Sequence, residues 1–158
     1  MVLFPPTVIL RHRKENLKKC SLRGLEERED CLFFTYPNAV LPDLSGYVLL
    51  AVDAPPLTLE ESEMGLFLVD GTWRYAERML RQLPSQITRR SIPPGYLTAY
   101  PRRQEEFRGL ASIEALFIAY QVLGRDAKGL LDQYRWREEF LQLNGDLLRM
   151  ADVSLPTA

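Results

Sequence analysis

The chain has 158 residues, 46% of them hydrophobic and 26% charged, enough apolar material for one soluble domain with a packed core. Its apolar runs, such as Tyr47-Val-Leu-Leu-Ala-Val52, fall far short of the ~20 residues that cross a bilayer, and its start lacks a signal-peptide pattern, so a cytoplasmic address is expected. A net charge of −1 and a pI near 5.9 give no bulk attraction to nucleic acid, and two cysteines, Cys20 and Cys31, can assemble neither a disulfide framework nor a four-ligand zinc site.

Thr7–Arg11, Cys31–Thr35, Tyr47–Val52 and Leu66–Val69 are rich in Val, Leu and Phe and are bounded by Pro, Asn, Asp or Gly. They read as strands of a sheet covered on both faces. Thr72 opens a helix to about Leu83, with Trp73, Ala76, Met79, Leu80 and Leu83 at three- and four-residue spacing and Pro84 as its stop. Tyr96–Tyr100, between Pro93-Pro94-Gly95 and Pro101, reads as a further strand. A strongly apolar helix runs from Ser112 to about Leu123, with Ser112 as N-cap, Glu114 in the first turn and Gly124 as its end. From Asp126 to about Ala151 the pattern is helical, with a break near Asn144-Gly145. The architecture expected is α/β, a mostly parallel sheet flanked by helices with a helical C-terminal layer.

Ligands of such sheets bind at the carboxyl ends of strands, which makes the Asp70-Gly71-Thr72-Trp73 turn the leading site candidate. Gly71 permits close backbone approach, the helix start offers free N–H groups, and Trp73 offers a flat apolar wall. The plainer reading is that Asp70 or Thr72 caps the helix and Trp73 packs in the core. Two further turns have the same two readings: Gly109-Leu110-Ala111-Ser112, where helix N–H groups could hold a carboxylate, and Leu17-Lys18-Lys19-Cys20-Ser21. Basic residues gather in clusters, Arg11, His12, Arg13, Lys14, Lys18 and Lys19 near the start, then Arg89 and Arg90, then Arg102 and Arg103. Each is an ordinary solvated face or part of a phosphate-binding surface. His12 has no nucleophile partner in the sequence and reads as a surface or RNA-facing residue. The phosphate-loop and dinucleotide fingerprints and metal-ligand spacings are missing from the sequence.

In order, Lys18-Lys-Cys-Ser21, Leu68-Val-Asp-Gly-Thr-Trp73, Leu97-Thr-Ala-Tyr-Pro101, Leu110-Ala-Ser-Ile-Glu-Ala-Leu116 and the stretch Leu131-Asp-Gln-Tyr-Arg-Trp136 through Phe140-Leu-Gln-Leu-Asn144 resemble one family's motifs. That family joins the DTW-domain proteins to the ribosome-biogenesis aminocarboxypropyltransferases, and the rRNA branch is the nearer. The cysteine-rich N-terminal element of many DTW-domain proteins is missing. Tyr100 stands where the rRNA branch usually has Asn, Arg137 replaces the Gly after Trp136, and His12-Arg-Lys-Glu15 is similar to the tRNA-modifying branch's H-P-x-E.

The resemblance implies a SPOUT-like fold with a C-terminal trefoil knot, a single domain over 1–158 whose 1–45 part is α/β and whose 46–158 part is knotted. It implies S-adenosyl-L-methionine as cofactor and transfer of its 3-amino-3-carboxypropyl group to a uridine or pseudouridine-type base of rRNA or tRNA, releasing 5′-methylthioadenosine. Asp70 would act as base. Thr72, Trp73 and Ala76 would border the cofactor, the last two near the sulfonium methyl. Leu97 would meet its adenosine, and Ser21 with Leu110, Ala111 and Ser112 would hold its amino-acid end. Arg11, Arg13, Lys18, Lys19, Arg89, Arg90, Arg102 and Arg103 would face RNA. No metal or membrane is expected, and the protein is expected to be a monomer. A SPOUT-type RNA methyltransferase and a non-catalytic RNA-binding or ribosome-assembly module are the alternatives.

Overall fold

A computed structural model describes residues 4–18, 20–101 and 109–148, apart from the side chain of Trp73. Strands β1 (Thr7–His12), β2 (Cys31–Tyr36), β3 (Tyr47–Leu50), β4 (Gly65–Asp70) and β5 (Thr88–Arg90) form one parallel sheet in the order β2-β1-β4-β3-β5. Helices α1 (Trp73–Arg81), α2 (Ser112–Val122) and α3 (Arg137–Leu143) and two short 3-10 turns, Leu25–Glu27 and Leu59–Glu61, connect and cover it.

The continuous apolar runs of the strands follow from burial on both faces. Successive side chains of a strand point to opposite sides, so Ile9, Val48, Leu66 and Leu68 join α2 and the C-terminal segment in one core. Val8, Leu10, Leu49 and Phe67 join Met79 of α1 in the other. Every residue of β1 is buried, because this strand lies between two neighbours and under both layers. Helix α2 is apolar around most of its circumference because it too is enclosed: Phe117 meets Phe140 of α3 edge-on at 6.0 Å.

Three elements depart from the sequence-based expectation. Among the described residues Tyr96–Tyr100 forms no strand. Its backbone is held by side chains instead: Asn144 accepts from the Leu97 N–H at 2.7 Å and donates to the Leu97 carbonyl at 2.8 Å, while Glu114 accepts from the Ala99 N–H at 2.8 Å. The unexpected strand β5 includes Arg89 and Arg90, whose charges hide a strand that needs pairing only on its β3 side. The helix expected from Asp126 begins only at Arg137. Turns occupy the interval: Asp126 accepts from the Lys128 N–H at 2.9 Å, and Gly129 adopts a φ of 86° that a side chain would disfavour.

Glu114 holds the C-terminal half together. It is fully buried at the third position of α2, and its carboxylate accepts four hydrogen bonds: from the Ala111 N–H at 2.8 Å, the Thr98 hydroxyl at 2.6 Å, the Ala99 N–H and the Tyr134 hydroxyl at 2.9 Å. Ala111, rather than Ser112, is the N-cap, and Glu114 supplies the capping bond from inside the helix. Removing the carboxylate strands four donors, those of Ala111 and Tyr134 buried and those of Thr98 and Ala99 partly so, and a buried donor left unsatisfied costs ~1–3 kcal/mol. Glu114→Ala is therefore expected to cost more than about 3 kcal/mol and Tyr134→Phe about 1 kcal/mol, read as losses of stability in urea titrations.

Candidate active site

The carboxyl ends of β1 and β4 mark the point where the chain's connections part. From β1 it leaves toward β2 at one edge of the sheet, and from β4 it leaves through α1 toward β5 at the other. Such divergence opens a crevice, and Arg11 and Asp70 face each other in register across it.

Asp70 is 5% exposed and does not cap α1. Its Oδ2 accepts from Arg11 Nε at 3.1 Å and from the Cys20 thiol at 3.0 Å. Thr72 occupies the N-cap position of α1 without making a side-chain capping bond, so both capping alternatives are set aside. Arg11, assigned from sequence to RNA, is instead 8% exposed. It binds Glu26 at 2.9 Å as well as Asp70, and its guanidinium lies 4.4 Å over the Phe33 ring. The Cys20 thiol is pushed up to about 12 by burial and by Asp70, which keeps it a protonated donor.

Glu15 closes the group. One oxygen each of Glu15 and Asp70 and the Cys20 sulfur lie within 4.8 Å of one another, a spacing that could enclose a cation, but Arg11 already supplies the positive charge. Burial, reinforced by the Asp70 carboxylate, pushes Glu15 up to about 6, and its Oε2 is buried without a hydrogen-bond partner among the described residues. His12, read as a surface residue, is 6% exposed and stacked on Tyr75 at 3.8 Å. Burial and the cations Arg13, Lys14 and Arg78 pull its pKa below the ordinary value. The turn can pack this closely because Gly71 has no side chain: a Cβ there would lie 3.2 Å from that of His12.

Beside this polar group, a cleft of about 580 Å³ opens along the carboxyl ends of β3 and β4. Its walls are residues 50–53, Leu68 and Val69, the Ala76-Glu77 face of α1, the 91–96 segment and the start of α2 with Leu110 and Ser112. Among the described residues of its lining, Asp53 and Glu77 are the only charged ones, and both are acidic. Ser21 reaches the start of α2, accepting from the Ile113 N–H at 3.2 Å.

The structure thus gathers Ala76, Leu110 and Ser112 on one cleft, with Ser21 and Ala111 at its α2 end. Leu97 is not part of this lining: its side chain is 56% exposed, and the adjacent Tyr96 borders the cleft instead. The backbone of Trp73 begins α1, while its side chain lies outside the described residues. Of the basic clusters, Arg13, Lys14 and Lys18 are exposed, and Arg89 and Arg90 are half-buried on β5, where Arg90 approaches Glu61 at 3.6 Å. Lys19, Arg102 and Arg103 lie outside the described residues. Sequence reasoning missed Asp53 and Glu77, which belong to no quoted motif, although Asp53 directly follows the strand expected at Tyr47–Val52; Glu15 stood in the quoted His12–Glu15 stretch but was given no role.

A carboxyl group held more readily protonated in the folded chain than in the unfolded one stabilises fully below its unfolded value and loses that contribution as pH rises through its folded value. For Glu15 this window runs from 4.5 to about 6. Glu15→Gln is expected to be more stable than the parent at pH 7, with the gain vanishing below pH 4.5, when urea midpoints are compared across that range.

By fold, the chain is similar to the SAM-dependent rRNA:acp-transferase Tsr3 from Vulcanisaeta distributa, with a TM-score of 0.72 and 22% identity over 94% of this chain and 83% of that one. By sequence it is similar to the 16S rRNA aminocarboxypropyltransferase of Methanopyrus kandleri, 32% identical over 97 residues, and the match spans 58% of this chain and 57% of that protein. The 16S rRNA aminocarboxypropyltransferase of Thermoplasma acidophilum is 26% identical over 140 residues, 84% of this chain and 80% of its own length. Residues 52–153, which carry α1, the cleft and the Glu114 and Asn144 contacts, match the family model described as "Ribosome biogenesis protein, C-terminal", and the chain belongs to that family.

Proposed function

We propose that this protein transfers the 3-amino-3-carboxypropyl group of S-adenosyl-L-methionine to a uridine-type base of rRNA. The observation that carries this reading is the charge of the cleft. Its volume suits a small-molecule ligand, its walls are largely apolar, and among the described residues its charged lining consists of Asp53 and Glu77. Such a lining favours a cation bearing a sulfonium and an ammonium and disfavours a polyphosphate. The names of the relatives, rRNA transferases of this group, point the same way.

When bound, the cofactor supplies an activated γ-carbon and a thioether leaving group, so that attack by N3 of the base forms an N–C bond, breaks a C–S bond and releases 5′-methylthioadenosine. The protein's part is positioning and proton removal. Ala76 forms the wall against the sulfonium methyl, the place the family motif also assigns to Trp73, so that the aminocarboxypropyl arm rather than the methyl would face the acceptor. Ser21, whose oxygen already accepts from Ile113, keeps its hydroxyl proton for the amino-acid carboxylate beside the Leu110–Ser112 turn. Asp70, fixed by Arg11 and Cys20 through Oδ2, takes the imide proton of the base.

On this reading the 46–158 part carries a trefoil knot of the SPOUT-like kind, and the family shares its origin with the DTW-domain proteins. The protein works as a monomer in the cytoplasm, where ribosomal precursors are at hand.

Incubation of the protein with rRNA and carboxyl-labelled cofactor is expected to label the RNA, and label entering only from the methyl group would overturn the assignment. Asp70→Asn should lower the transfer rate by ~10²-fold or more while changing cofactor affinity far less. Because that change removes one of the two carboxylates that pair with buried Arg11, Arg11→Met with Asp70→Asn serves as the folded control. Ala76→Leu, which fills the methyl wall, should weaken cofactor binding by about tenfold at unchanged melting temperature, measured by calorimetric titration.

A further inference from the structure

A second cavity lies outside the cleft and is used by none of the steps above. It has a volume of about 330 Å³ and is lined by Arg13 and by residues 33–39, at the carboxyl end of the edge strand β2. Phe34 and Tyr36, which share one face of β2, line it together with Asn38 and Arg13, and among the described residues its lining holds no acidic side chain. Tyr36 is fixed from behind by its bond to Gln82 at 2.7 Å and by contact with the His12 ring at 5.5 Å. Arg13 and Asn38 are exposed, and Arg13 makes no ion pair among the described residues.

The backbone contributes as well. Thr7 donates to the Asp30 carbonyl and Arg13 to that of Tyr36, at the two ends of a parallel ladder that pairs Thr7 with Cys31 and His12 with Tyr36. In such a ladder alternate residues turn their N–H and C=O groups to the partner strand. The peptide groups of Phe33 and Thr35 therefore face away from β1, and among the described residues β2 has no neighbouring strand on that side.

Planar faces, an amide, a free cation and unpaired backbone donors and acceptors together match a nucleobase and its phosphate. The position matches too. Only β1 separates β2 from β4, so the pocket lies about 10 Å across the sheet from Asp70, on the same carboxyl edge. Exposed Lys14 and Lys18 follow Arg13 in the chain.

We propose that this pocket holds an unpaired base of the rRNA strand flanking the target nucleotide, with Arg13 on its phosphate and Asn38 with the β2 edge on its hydrogen-bonding groups. The inference rests on the transferase reading and adds to it a second anchor. It explains how a chain of net charge −1 could select an RNA strand, by local readout rather than bulk attraction.

The test is a fluorescence-anisotropy titration of a labelled rRNA fragment containing the target uridine, with each flanking nucleotide in turn made abasic. The parent protein is expected to lose about tenfold in affinity at one flanking position. Arg13→Gln combined with Asn38→Ala should lose a similar factor on intact RNA, become indifferent to that abasic site and show a salt slope smaller by about 1, with cofactor affinity unchanged. An abasic penalty that persists in the double variant overturns the pocket, as does unchanged RNA affinity, the result expected if the open edge of β2 receives a peptide strand. If the parent transfers label to RNA but no abasic site couples to Arg13 and Asn38, the pocket alone falls. If the parent neither binds nor modifies RNA, the transferase reading falls with it.

Discussion

The buried carboxylate of Glu114 is the constraint around which the C-terminal half is arranged. An ionised group withdrawn from water is tolerable only when its lone pairs are filled, and here donors from three separate segments fill them: Thr98 and Ala99, Ala111, and Tyr134. Among the described residues the segment before Pro101 has no strand neighbour, so without Glu114 and Asn144 its backbone would have no fixed path. The same carboxylate organises the first turn of α2. One side chain thus sets the distance between two walls of the cleft, the 91–96 segment and the Leu110–Ser112 turn.

A second buried charge performs the corresponding task at the sheet's switch point. Arg11 and Asp70 occupy opposed positions on adjacent central strands, and a buried pair of this kind contributes more to geometry than to net stability, because desolvation offsets much of the attraction. What it supplies is orientation. Glu26, Cys20 and Phe33 hold the guanidinium from three further directions, so the Asp70 carboxylate is fixed before any ligand arrives. Glu15, its pKa raised by burial and with an oxygen free of hydrogen bonds among the described residues, is the more adaptable of the two carboxyl groups.

Much of this was legible in the sequence because burial leaves a periodic mark. The four runs of Val, Leu and Phe became β1 to β4 within a residue or two, and the three- and four-residue spacing from Trp73 became α1. The site's central turn was legible for a different reason, since Asp-Gly at a strand end followed by a helix can hardly sit anywhere but at a sheet's carboxyl edge. What escaped was set by contacts between distant residues. Asn144 imitates a neighbouring strand for Leu97 across 47 positions, and no local pattern announces this. Arg11 looked like one more cation in a basic run. Only the register that brings Asp70 beside it reveals a buried ion pair. The strand at Arg89 and Arg90 was concealed by its charges, and the turns of 126–136 by leucines and a tyrosine that serve the core without belonging to a helix.

The distribution of charge follows from these placements and accounts for how one small domain could serve two ligands of opposite sign. The cations nearest the chemistry are consumed within the fold: Arg11 is paired inside, and Arg90 leans on Glu61. Among the described residues the cleft keeps only carboxylates in its charged lining, while Arg13, Lys14 and Lys18 remain exposed just beyond the end of β1. In the proposed reaction a cationic small molecule and a polyanionic strand would therefore be drawn to different sides of one strand end, with Asp70 between them. Held by Arg11 rather than by either ligand, its carboxylate would meet both in the same geometry, which is the condition for moving a proton from one as a bond forms to the other.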